Sequence, residues 1–375
     1  MRIAFNGQRL AGQRLGVGRY IEYMLRYWSK MLEPSEEVTL FLRRKLDASA
    51  LEYLHLSDRV HPRVLGPDVS GIAWENIRLG SASSKMDVLF CPAYTAPLAG
   101  KAPLVVATHS VNEIQPAAQS RWYPYTYSKL YKASARRAEK VIVPCDTTKV
   151  DLTNFYGIEP DRIEVVEQGS DDSFHPIEDQ EILRKVRIRF FGADRPYVLF
   201  VGKASTRRNI PMLLRAFAQL KHSYKIPHGL LLFGPNPDGL PLKALCEELK
   251  ISDSVVQDDG IVQDHSDLVE IFNAADVFVH PSEFEGWSMT TVEAMGCGTA
   301  VIAVDRGGLG EVARGHAYMV DRPTVESLAD AIHEVLSDET LRASLRAKAL
   351  ARGSSLRWSD TTRRTLDVVR SVGRN

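Results

Sequence analysis

A chain of 375 residues is long for one hydrophobic core, and 44% hydrophobic with 25% charged residues is the make-up of an ordinary soluble, two-domain protein. Forty-seven basic side chains offset forty-seven acidic ones, which excludes a strongly basic nucleic-acid binder. Cys91, Cys145, Cys246 and Cys297 form no CxxC pair, so a reducing, cytoplasmic setting is expected, without a disulfide framework or structural zinc.

Taken in chain order, "MRIAFNGQRL" opens as a short apolar strand rather than a signal peptide. No run approaches the roughly 18 apolar residues that span a bilayer. A helix is predicted from Gly18 to Leu32, where Ile21, Met24, Leu25, Trp28 and Leu32 form one apolar stripe. Strands are predicted at "VTLFL", "DVLFCP", "LVVATH", "KVIVPC" and "IEVVEQG". The polar stretch "VEQGSDDSFHPIEDQE" then interrupts the pattern, which restarts with "YVLFVG", "GLLLFG", "VVQDDG", "VFVHPS" and "AVIAVD". Continuous apolar runs alternating with helices indicate buried parallel strands and crossover helices. The expected fold class is α/β, with two Rossmann-like domains over 1–172 and 173–357 and a C-terminal helix over 358–375 returning to the first. Ligands of such sheets bind at the carboxyl ends of the strands, in a cleft between the domains.

Four places along the chain could carry chemistry. "RLAGQRLGVGRY" sets Gly16 and Gly18 before the first helix, where backbone can approach a ligand closely or simply turn. It lacks the third glycine of a dinucleotide fingerprint. His109 follows the strand "LVVATH", where it could bond a ligand hydroxyl, act as a base or be structural. His280 is placed similarly, but Pro281 and Ser282 favour a turn. In "YVLFVGKASTRRNIPMLL" the strand ends at Gly202, and Lys203, Arg207 and Arg208 precede a helix with Pro211 in its first turn. Cations beside a helix N-terminus suit an anion, although an ordinary basic loop would read the same way.

In "HPSEFEGWSMTTVEAMGCGTAV", Glu285 and Glu293 stand eight residues apart. On one helix they would lie about 12 Å apart along the axis, against the roughly 5–9.5 Å of glycosidase carboxylate pairs. A shared acid/base role is therefore a poor match. The spacing suits Glu285 on a loop and Glu293 two turns inside a helix starting near Ser288, each holding a different part of one elongated ligand. The free N–H groups of Ser288 and Met289 would face a phosphate or sugar oxygen. No Asp-x-Asp, HExxH or Cys/His cluster points to a metal.

Together these segments resemble the retaining GT-B glycosyltransferases of family 4, related to bacterial mannosyl- and glucosyltransferases. The E-x7-E motif falls on Glu285 and Glu293, and "GVGRY", "VVATHS", "GKASTRRN", "DHSDLVEIFNAADVFVHPS" and "RGGLGEV" follow in the family's order. The resemblance implies that Lys203 and Arg208 grip the donor diphosphate, in places usually held by arginine and lysine. It assigns Glu293 to the nucleotide ribose and Glu285 to the sugar hydroxyls. Gly16, Gly18, Gly202, Gly286, Ser288 and Met289 line the donor, and His109 lies near the reacting sugar. Ser110 stands where aspartate often follows that histidine, and Ser288 replaces a glycine of the usual Glu-Gly-Phe-Gly-Leu-Pro run. Retention is expected by front-face displacement, with no cofactor or metal and the nucleotide-sugar as substrate.

GDP-mannose is the favoured donor, with UDP-glucose or UDP-N-acetylglucosamine as alternatives, and the acceptor is a cell-envelope glycan or lipid-linked glycan. A non-catalytic nucleotide or sugar binder is the competing class. The segment "QSRWYPYTYSKLYKASARRAEK" (119–140) interleaves Trp122, Tyr123, Tyr127 and Tyr131 with Lys129, Lys132, Arg136 and Arg137. That pattern suits a peripheral contact with the inner membrane face, an acceptor groove or plain packing.

Overall fold

The computed structural model describes residues 1–10, 16–111, 123–260 and 265–373. They divide into two compact units, the first Met1–Gln168 with Trp358–Asn375 and the second Gly169–Arg357.

The first unit is built on a seven-stranded parallel sheet: β1 (Arg2–Asn6), β2 (Glu37–Leu42), β3 (Val60–Val64), β4 (Val88–Cys91), β5 (Leu104–Ala107), β6 (Lys140–Val143) and β7 (Ile163–Val165). Its spatial order is β3-β2-β1-β4-β5-β6-β7. β1, β4 and β5 are buried along almost their whole length, which explains their unbroken apolar character. β3, "VHPRV", was not anticipated: only Val60 is buried, and Pro62 is tolerated because the strand lies at the sheet edge.

The first helix runs Val17–Met31 and buries Ile21, Met24, Leu25 and Trp28, with Leu32 half-buried just beyond it. The C-terminal helix Trp358–Val372 packs against it. Trp358 stacks on Tyr23 at 4.5 Å, Trp28 Nε1–H donates to the Thr362 carbonyl at 2.9 Å, and Arg370 pairs with Glu36 at 2.7 Å.

The second unit repeats the plan with six parallel strands: β8 (Tyr197–Val201), β9 (Gly229–Phe233), β10 (Val255–Asp258), β11 (Val277–His280), β12 (Ala300–Val304) and β13 (Tyr318–Val320). Their order is β10-β9-β8-β11-β12-β13. β13, three residues long and half-buried, carried no sequence signal of its own.

Each sheet reverses its winding direction once, between β1 and β4 in the first unit and between β8 and β11 in the second. Diverging connections leave a crevice there at the strands' carboxyl ends, the place where open α/β sheets bind ligands. Among the described residues no helix is long and apolar enough to cross a membrane.

Candidate active site

The second unit's reversal point gathers the residues that follow β8 and β11. β8 gives way to Gly202 at φ 140, whose N–H donates to the Phe233 carbonyl at 2.8 Å. A side chain at Gly202 would collide with the Arg208 guanidinium, so the glycine lets that cation lie across the strand end. A short helical turn, Thr206–Arg208, leads to Asn209 in the left-handed region and then to the helix Ile210–Gln219. Asn209 Nδ2–H donates to the Pro281 carbonyl at 3.0 Å and to Glu283 Oε1 at 3.2 Å, which ties this turn to the loop after β11.

Glu285 lies on that loop, buried, as its spacing from Glu293 suggests. Its Oε1 accepts from Arg208 Nε–H at 3.0 Å and Ser282 Oγ–H at 3.4 Å, and pairs with Arg207 Nη1 at 3.0 Å. Arg207 also donates to the Phe284 carbonyl. Burial alone would push the Glu285 carboxyl up, but Arg208 and then Arg207 outweigh it and hold the pKa down at about 2. Glu285 Oε2 takes no hydrogen bond from any described residue and remains available to a ligand donor. Gly308 N–H donates to the Glu285 carbonyl at 2.9 Å, and a Cβ on Gly307 would crowd that same carbonyl, so "RGGLG" fixes the loop from behind. Lys203 is exposed, and its carbonyl accepts from Arg208 Nη1–H at 3.4 Å. Two guanidinium groups meeting the single carboxylate of Glu285 leave this cluster net positive, suited to an anion.

The helix Met289–Gly296 starts where expected, with Ser288 Oγ accepting from Thr291 N–H at 3.3 Å as its N-cap. Gly286 and Ser288 lie on the loop leading to it, and Met289 is its first residue. Glu293 is completely buried and sits just over one turn inside the helix, nearer its positive end than the two turns anticipated. His280 is a core residue: Phe200 and Phe278 flank its ring, and burial holds its pKa down at about 4. The pairing of Arg207 with Glu285 and the tie of Asn209 to Pro281 and Glu283 span more than 70 residues, and the role of Gly307–Gly308 is one of loop backbone, so no local pattern reveals these contacts.

In the first unit, Gly16 caps the first helix at φ 48, where a Cβ would meet no described residue within 4 Å, and Gly18 is buried in that helix's first turn. Residues 11–15 lie outside the described residues. His109 follows β5 with both ring nitrogens engaged. A carbonyl can only accept, so Nε2–H donates to Pro92 O at 2.8 Å, and Nδ1 accepts from Gln168 Nε2–H at 2.9 Å. Burial lowers its pKa to about 4, with the bond to Pro92 opposing, so the ring is neutral near pH 7.

Of the basic and aromatic segment, 119–122 with Trp122 lies outside the described residues, as does the side chain of Tyr123. In the helix Tyr123–Arg137, Tyr131 is buried and stacks on Tyr94, and Tyr127 packs on the core. Lys132, Arg136 and Arg137 donate to the carbonyls of Phe155, Tyr156 and Ala102. Much of this segment therefore serves the unit's own packing.

Two family models match the chain, one described as Glycosyltransferase Family 4 over residues 15–174 and one as Glycosyl transferases group 1 over residues 183–352. A D-inositol 3-phosphate glycosyltransferase from Acidothermus cellulolyticus is 30% identical over 63% of this chain and 54% of its own length. The O-antigen chain mannosyltransferase B of Escherichia coli is 25% identical over 62% of this chain and 61% of its own. The chain thus spans a little over half of the first of these relatives. Among solved structures, Anabaena HepE in complex with UDP and glucose superimposes with a TM-score of 0.80 at 19% identity, covering 99% of this chain and 100% of that one. WaaG, a glycosyltransferase involved in lipopolysaccharide biosynthesis, does so at 0.74 and 16% identity, over 98% and 99%. Structural likeness at such identity establishes the fold, and the two models between them run from residue 15 to residue 352. The chain belongs to the family 4 GT-B glycosyltransferases.

Proposed function

We propose that the protein is a retaining, metal-independent glycosyltransferase that moves a hexose from a nucleotide-sugar to a glycan or lipid-linked acceptor in cell-envelope glycan synthesis. One observation carries this reading: Arg207 and Arg208 converge on the buried carboxylate of Glu285 at the second unit's reversal point, and Lys203 lies on the same turn as these arginines. Lys203 and Arg208 would hold the donor diphosphate and stabilise the charge that grows on it as the glycosidic bond breaks. Glu285, kept ionised by its two arginines, would accept a sugar hydroxyl at Oε2, and Glu293 would take the ribose.

The buried carboxylate of the cluster, Glu285, is engaged by two arginines rather than free to attack carbon, which favours front-face displacement. The acceptor oxygen would bond the anomeric carbon as its bond to the diphosphate oxygen breaks, and the acceptor proton would pass to that phosphate oxygen. Catalysis then rests on positioning and preorganised charge. His109, neutral with both nitrogens engaged, is read as a positioning residue rather than a base.

GDP-mannose remains the first donor to test, consistent with the mannosyltransferase relative, and the UDP and glucose bound to HepE put UDP-glucose next. Thermal-shift measurements with GDP, UDP, TDP and ADP identify the base, because the preferred nucleotide raises the melting temperature most. Arg208→Ala is expected to lower turnover by several orders of magnitude with the fold intact, and near-wild-type transfer by that variant would sink the assignment. A non-catalytic binder would release no free nucleotide from any of these donors.

A further inference from the structure

The first unit's reversal point lies between β1 and β4. Asn6 closes β1, the turn Ala93–Thr95 follows β4, and Glu75 reaches the same place from the helical segment Trp74–Leu79. Asn6 Nδ2–H donates to Glu75 Oε1 at 2.7 Å, and Thr95 Oγ1–H donates to the same oxygen at 3.0 Å. Glu75 is only 4% exposed. Its Oε2 takes no hydrogen bond from any described residue, and no ion pair to a described residue neutralises it.

The backbone that delivers Thr95 is under strain. Thr95 N–H donates to the Ala93 carbonyl at 2.7 Å, closing a three-residue turn around Tyr94, whose φ is 67. This is the rare γ-turn of positive φ, which a bulky residue adopts only when its surroundings enforce it. Tyr94 is clamped by stacking on Tyr131 at 4.9 Å and by Ser110 at 3.3 Å.

A buried carboxyl without a counter-ion is costly. If its role were structural, glutamine would accept the same two bonds on Oε1 and carry no charge. The difference lies in Oε2, which in glutamate can accept and in glutamine cannot. The contrast with Glu285 narrows the chemistry. At the second unit's reversal point the carboxylate is paired with two arginines and suits a polyanion. At the first it is held by two neutral donors, with Arg9 acting only as an exposed, more distant charge. A phosphate brought there would meet unshielded negative charge, whereas a hydroxyl would find an acceptor.

We propose that Asn6, Glu75 and Thr95 form a hydroxyl-recognition site for a neutral, polyhydroxylated acceptor, with Glu75 Oε2 taking a sugar hydroxyl. The proposal rests on the glycosyltransferase reading above, and it separates this chain from enzymes whose acceptor carries a phosphate at this point.

The test is saturation-transfer NMR on the full chain with methyl α-D-mannopyranoside, methyl β-D-glucopyranoside and glucose 6-phosphate. It is run with and without a saturating nucleoside diphosphate, which occupies the cation site. At least one methyl glycoside is expected to bind at least tenfold more tightly than glucose 6-phosphate. Glu75→Gln should weaken that glycoside at least fivefold and leave the nucleotide thermal shift unchanged. Thr95→Val, which removes one bond to the carboxyl, should weaken it about two- to threefold and serves if Glu75→Gln does not fold. The proposal is overturned if neither glycoside binds, if glucose 6-phosphate binds as tightly, or if a folded variant keeps wild-type glycoside affinity. Absence of any nucleotide shift would instead overturn the glycosyltransferase reading, and the arm without nucleotide still decides the role of Glu75.

Discussion

Glu285 and Glu75 are buried carboxylates at the reversal points of two similar sheets, yet their surroundings drive them in opposite directions. Two guanidinium groups hold Glu285 far below the ordinary carboxylate range, while burial raises Glu75 against the lowering by its two neutral donors and the more distant Arg9. Removing Arg208 should therefore raise the Glu285 pKa, because burial then faces a single arginine. Carboxylate titration followed by NMR at acid pH checks this.

His280 sets a second pH window. Its pKa is about 4 in the folded chain against 6.5 for an ordinary histidine, so between these values the unfolded chain binds a proton that the folded one does not. Stability should fall as pH drops from 6.5 to about 4, by an amount on the order of 3 kcal/mol, and then level off for this group. Glu285 acts lower down, contributing stability above pH 4.5 that is lost as pH falls towards 2. Urea midpoints at pH 7 and 4.5 for wild type and His280→Asn test the upper window, which should shrink in the variant.

At the scale of elements, the helix Met289–Gly296 owes its position to close backbone contact. A Cβ on Gly353, in the helix Glu339–Ser355, would drive into the Gly296 backbone. Gly353→Ala would stabilise an isolated helix by up to about 1 kcal/mol. Here the sign should reverse, with a loss of about 1–3 kcal/mol from overpacking. Displacing the helix that carries Glu293 should also weaken nucleotide affinity. Chemical denaturation and the nucleotide thermal shift read the two effects separately.

The parallel strands and the capped helix at Ser288 were legible because continuous apolar runs and Ser/Thr caps are local signals. β3 and β13 escaped, being an edge strand with one buried residue and a strand of three. The site divides in the same way. Gly202, Arg208, Glu285 and Glu293 sit in local motifs, whereas Arg207's pairing with Glu285 spans 78 positions of sequence. Glu75 lies in an irregular helical segment and Thr95 beyond a strained turn, and neither follows a periodicity.

For the molecule as a whole, the last helix is part of the first unit's core. Trp358 is 1% exposed, stacks on Tyr23 and meets Tyr20 edge-on at 5.8 Å. Trp358→Ala should cost the first unit about 3–5 kcal/mol, visible by calorimetry as a transition moved to lower temperature. The nucleotide thermal shift, read in the second unit, should survive.

The same helix bears on how the protein is made. Synthesis runs from the amino end, so β1 to β7 emerge first, but the face covered by Trp358, Thr362 and Leu366 stays bare until the whole second unit has been translated. The second unit is continuous in sequence and can close while its predecessor still waits for its final helix. The first unit is therefore completed only after the second, and the face beneath its last helix stays exposed meanwhile.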